Sequence, residues 1–184
     1  MDLKKGGGAI ARTALFTAII AVCAWLSLPM PSGISITLQT LGVCLAGAFL
    51  GARGGLISTA AYILLGVVGV PVFSGFAGGV GILLSPVGGY IVGFLFTALC
   101  VGAFSDRLKK SERERTVPIF LGSLLGILLC YAFGTVWYVL SFARTDKAVT
   151  FFSALTTCVL PYVLPDLFKA AMASALWQKL KKYR

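Results

Sequence analysis

Histidine is absent from the sequence, and acidic residues number only six among 184. Without histidine the commonest metal ligand and proton shuttle is missing. An intramembrane serine protease would want a histidine base. An aspartyl one needs two buried carboxylates, and only Asp166 lies deep in an apolar run. No G-x-x-x-x-G-K-S/T run occurs, so ATP is not bound here through a P-loop. The five cysteines (Cys23, Cys44, Cys100, Cys130 and Cys158) are scattered singly, with no C-x-x-C spacing. That pattern indicates neither a zinc site nor a disulfide framework, and the thiols read as small lipid-compatible core residues. The sequence therefore predicts no enzyme, no metal and no cofactor.

Charge is scarce as well, at 12% of residues, about half the roughly 25% of a soluble domain. Mean hydropathy is +0.95. What the chain has instead is 58% hydrophobic residues and 22 glycines. At roughly 20 residues per crossing this supplies about six transmembrane helices. The apolar runs lack the period-two alternation of a membrane β-barrel. The net charge of +10 resembles that of a nucleic-acid binder, but the basic residues flank apolar segments, where they orient a chain in the membrane. The predicted fold class is an all-α integral membrane protein, a single domain over 1–184.

Lys4 and Lys5 ahead of an apolar run suggest a signal peptide, yet no small-x-small cleavage site follows. The run is read as a first helix, about 10–28, ended by Pro29 and Pro31. Further helices are expected at about 37–51 and 56–69, joined by a tight turn at Arg53-Gly54-Gly55, then at 86–104, 117–141 and 152–178. Residues 70–85 hold four glycines and Pro71 without a charge. They read as a re-entrant or capping segment, since irregular backbone at membrane depth must be covered by protein or line a cavity. Ser105 to Arg115 reads as a hydrophilic loop. Placing both termini in the cytoplasm puts 13 of the 16 basic residues inside and leaves only Arg144 and Lys147 outside, which satisfies the positive-inside rule. The charge-free outer loops then put the site side outside.

Asp166 and Lys169 are the charged residues deep in the last span. Counting from Gln178, they sit about 18 and 13 Å above its cytoplasmic end, on one helix face. Charges at that depth face the protein interior. They either hold helices together or read a polar ligand, Asp166 accepting from N–H groups and Lys169 donating to an oxygen. Pro161 and Pro165 free backbone carbonyls nearby. Gln39 either hydrogen-bonds a ligand or caps backbone. Tyr62 and Tyr90 either line a cavity or sit at the membrane interface, and Phe73 and Phe76 either close on a ligand or shield the loop. Ala11, Ala14, Ala18 and Ala21 form a small-residue stripe suited to close helix approach, within the molecule or against a separate subunit.

The blocks Ile36-Thr37-Leu38-Gln39-Thr40-Leu41-Gly42, Tyr62 to Phe73, Gly78-Gly79 and Ser85-Pro86-Val87-Gly88-Gly89-Tyr90, with Pro165-Asp166-x-x-Lys169, resemble the BioY family. These are the biotin-specific S components of energy-coupling factor (ECF) transporters. The resemblance implies six membrane helices and high-affinity capture of biotin from outside. It also implies association with a transmembrane coupling protein and two ATP-hydrolysing subunits in a prokaryotic plasma membrane. By the same resemblance Asp166 and Lys169 are the ligand-contacting pair; Gln39, Tyr90, Phe73, Gly78 and Gly79 are the further candidates for the substrate site. Residues 71–85 become the lid between helices three and four, and Ala14 and Ala18 the surface for the coupling protein. The alternatives are an S component for another small vitamin, a solitary small-solute carrier, or a structural membrane protein in which the Asp–Lys pair is only a bridge.

Overall fold

Apolar runs in lipid must satisfy their backbone groups internally and so fold as helices. A computed structural model of the chain, describing residues 3–30, 34–110, 116–143 and 149–180, is built almost wholly from them. Helix α1 runs Leu3–Trp25, starting earlier than expected and ending three residues sooner. The chain already extends at Ser27–Leu28 (β1), ahead of Pro29, because a residue before proline is pushed out of the helical region. It pairs antiparallel with Ile36–Thr37 (β2), Ser27 opposite Thr37 and Leu28 opposite Ile36.

Helix α2 covers Gln39–Val68, and its one non-helical residue is Gly51 at φ 78°, ψ −176°. The turn expected at Arg53-Gly54-Gly55 is therefore two residues earlier, and those three residues are helical. Gly51 takes the break because this backbone region is open in practice only to glycine. The second half folds back along the first. A side chain on Gly55 would meet the Gly47 backbone at 2.8 Å, and Gln39 reaches Tyr62 at 3.0 Å across 23 residues. The new helix start is capped from outside, as Ala52 N–H donates to Asp106 Oδ2 at 2.8 Å.

A left-handed cap at Gly69 ends α2. The following segment is irregular, as expected, with a 3-10 turn at Ser74–Phe76 and the five-residue helix α3, Val80–Leu84. Helix α4 spans Gly88–Lys110, so the predicted hydrophilic loop from Ser105 is corrected. Its first polar residues are spent on packing: Ser105, fully buried, donates to Ala48 O at 2.7 Å, and Asp106 holds the Gly51 break. Arg113, Arg115, Arg144, Lys147, Lys181, Lys182 and Arg184, seven of the fifteen basic residues behind the orientation argument, lie outside the described residues.

Helix α5 is Val117–Phe142, with Pro118 in its first turn, where a missing N–H costs nothing. The last expected span is broken into α6, Phe151–Cys158, and α7, Leu160–Leu180, bent by 46°. Pro161 explains the break, because its ring opposes a continuous helix through the preceding turn. Among the described residues four helices are long and apolar enough to cross a membrane, or five with α6 and α7 as one bent span.

Candidate functional site

Burying a carboxylate in an apolar helix bundle is costly unless it is paired and hydrogen-bonded. Helix α7 places Asp166 and Lys169 one turn apart, and Lys169 Nζ lies 2.7 Å from Asp166 Oδ1. The two residues are only 7% and 4% exposed. The second carboxylate oxygen is held from another helix: Tyr131 of α5 donates its hydroxyl to Asp166 Oδ2 at 2.6 Å. Asp166, Lys169 and Tyr131 all border one small cavity of about 60 Å³, walled by Thr40 of α2, Tyr90, Phe94 and Thr97 of α4, and Cys130 and Cys158.

A second cavity of about 240 Å³ shares Ile34, Ser35, Thr37, Tyr90 and Phe94 with the first and continues under the irregular segment. Its wall includes Gln39, Phe73, Ser74, Ala77 and Ile82. The larger alone, at about 240 Å³, comes close to the lower end of the range for small-molecule sites. The lining is mostly apolar with a few fixed polar groups, the composition expected of such a site.

The structure brings most of the sequence candidates to these cavities. Tyr90 lies on both, its hydroxyl 3.2 Å from Thr135 Oγ1. Gln39 is buried, and its amide donates to the Tyr62 hydroxyl, so it does not cap backbone. Tyr62 itself is a fully buried support, packed edge-on against Phe73 at 5.6 Å. Phe73 and Phe76 part company, Phe73 pointing inward and Phe76 outward, 64% exposed and stacked on Trp25. Gly78 and Gly79 line neither cavity but shape the segment, Gly79 at φ 100° with its N–H on Gly66 O.

Tyr131, Tyr162, Trp25 and Trp137 escape the sequence reading. Tyr162 donates to Ile34 O, fixing the chain between β1 and α2 over the site. Two indoles grip the ends of the 70–85 segment: Trp25 Nε1 donates to Pro71 O at 2.9 Å and Trp137 Nε1 to Ser85 O at 3.1 Å. Of the four only Tyr162 is buried, but a tyrosine or tryptophan taken out of water usually finds a partner for its polar tip. That rule is the signal that was available in the sequence, though it names no partner.

Ala14 and Ala18 are far from this chemistry in kind. Both are exposed and line an apolar groove of about 970 Å³ between α1 and the second half of α2, together with Ile57, Leu64 and Val68. The groove ends at Trp25, Val70 and Val72, against the start of the irregular segment.

The sequence profile of the BioY family matches residues 2–184. Over 172 residues the chain is 34% identical to a probable biotin transporter BioY of Pyrococcus horikoshii, covering 94% of this chain and 95% of that one. Identity to the biotin transporter BioY of Thermotoga maritima is also 34% over 172 residues, covering 93% and 94%. The Rhizobium etli biotin transporter BioY is 37% identical over 171 residues, covering 89% and 88%. Among solved structures, the S-component for biotin from an ECF-type ABC transporter superposes with a TM-score of 0.86 at 26% identity, over 99% of this chain and 95% of that one.

Proposed function

The chain belongs to the BioY family, and from that premise we propose that it captures biotin from the external side as the substrate-binding subunit of an ECF transporter. The observation that carries this is the buried Asp166–Lys169 pair, held by the half-buried Tyr131, opening on a largely apolar cavity beneath the 70–85 segment. Biotin's ureido ring offers two N–H donors and a carbonyl, its thiophane ring and chain are apolar, and its valerate is anionic. Asp166 accepts from a ureido N–H, and Lys169 binds a biotin oxygen. Tyr90, Phe73 and Gln39 shape the remaining wall, while Gly78 and Gly79 give the lid its form.

Six crossings with both termini cytoplasmic, in one membrane domain, fit this role. The antiparallel fold-back of α2 at Gly51 supplies two of them and supports that count. A transmembrane coupling protein seats on the groove at Ala14 and Ala18, and two ATP-hydrolysing subunits drive uptake, since this sequence carries no P-loop of its own. Ligand selectivity tests the proposal. The purified full-length chain in detergent is expected to bind biotin far more tightly than thiamine, riboflavin or other small vitamins. Preference for another vitamin would overturn the substrate, and biotin uptake by the chain alone, without ATP or partners, would overturn the subunit role.

A further inference from the structure

We infer that Tyr131 is a positioning residue for substrate recognition: it fixes the plane of the Asp166 carboxylate, and so decides which lone pairs face the ligand. The inference rests on the binding function proposed above. A carboxylate turns about a soft, roughly two-fold torsion and offers about four lone-pair sites. Lys169, from the same helix as Asp166, occupies one site on Oδ1. Alone it acts on one oxygen only and does not lock the plane. Tyr131 reaches across from α5 to Oδ2 at 2.6 Å, so the two oxygens are held from two directions and the torsion is fixed.

One lone-pair site on each oxygen remains. All three side chains border the same cavity, so those sites are available to a ligand there. Because Tyr131 and Lys169 both donate to it, Asp166 is held as a pure acceptor. A ligand group with N–H donors is therefore matched, and a group presenting only oxygen lone pairs meets repulsion. Tyr131 thus sets both the direction and the sign of the hydrogen bond that the site offers, without having to touch the ligand.

A double-mutant cycle reads this directly. Biotin affinity is measured for the detergent-purified full-length chain, Tyr131→Phe, Asp166→Asn and the double variant. Tyr131→Phe keeps the ring and is expected to weaken binding by about 2- to 10-fold, the cost of ordering one freed side chain on binding. In the Asp166→Asn background the same change is expected to have little further effect, because its object is gone. Losses that multiply in the double variant would overturn the inference and make Tyr131 a direct ligand contact or a packing residue. Should Tyr131→Phe not fold, 3-fluorotyrosine at position 131 retains ring and hydroxyl. Its fluorine resonance is expected to move on Asp166→Asn and on biotin addition, and a resonance indifferent to both contradicts the inference. A folded wild-type chain that binds no biotin overturns the proposed function along with it, a different outcome from a binding wild type whose losses multiply.

Discussion

Asp166 and Lys169 depend on each other energetically as well as chemically. Removing one member of a buried pair strands the other as an uncompensated charge, which costs about 3–5 kcal/mol. Lys169→Ala is therefore expected to lower the thermal stability of the ligand-free chain, with Asp166→Asn/Lys169→Gln restoring much of it. Thermal unfolding in detergent checks this, and a Lys169→Ala chain as stable as wild type would show the pair to be solvated. This part of the site was legible in the sequence because charge in an apolar span is rare and must face inward. Tyr131 was not legible. A tyrosine in a membrane helix is equally at home at the interface, and only the fold shows that its hydroxyl meets Asp166 from 35 residues away. Gln39 was ambiguous for a similar reason, since its partner Tyr62 becomes a neighbour only once α2 doubles back.

The elements show where local sequence signals compete. Two consecutive glycines at 54 and 55 are a stronger turn signal than a lone one, yet the chain turns at Gly51 and keeps Gly55 for close packing against Gly47. The Asp106 cap favours that choice, and it was hidden because Ser105 to Arg107 read as loop rather than as the end of α4. Gly51→Ala is expected to destabilise the fold by on the order of 1–3 kcal/mol from backbone strain alone, with further loss from collision with the Asp106 carboxylate. Gly8→Ala, at a helical position of α1 where a side chain would meet nothing within 4 Å, is expected to be much milder. Comparable melting temperatures for the two variants would contradict the assigned turn. The lid role proposed for residues 70–85 makes a kinetic prediction. Trp137→Phe deletes the hydrogen bond to Ser85 O that anchors its far end. Biotin release, followed by chase with unlabelled ligand, is expected to quicken about 2- to 10-fold, the worth of one neutral hydrogen bond. Unchanged release would mean that this anchor does not hold the lid closed.

At the scale of the whole molecule, the proposed function gives two surfaces separate work. The cavities lie among α2, α4, α5 and α7, whereas the groove at Ala14 and Ala18 lies between α1 and the second half of α2 and shares no lining residue with them. Ala14→Trp fills the groove without touching the cavity lining. It is expected to leave biotin binding intact while abolishing uptake in cells that carry the coupling protein and ATPases. Loss of binding together with uptake would tie the groove to the fold rather than to docking. Composition alone fixed the membrane class, since 12% charge cannot clothe a soluble surface. Hydropathy says little about how the spans pack, so it separated neither α6 from α7 nor the groove from the lipid face.

The proposed function stands or falls on biotin binding at the Asp166 carboxylate. Equilibrium binding of labelled biotin to the purified full-length chain, beside a folded Asp166→Asn variant, tests it most directly. Saturable binding by the wild type, weakened about 10- to 100-fold by the substitution, is the expected result. Equal affinity in the two proteins would contradict the site, and absence of binding by a well-folded wild type would contradict the function.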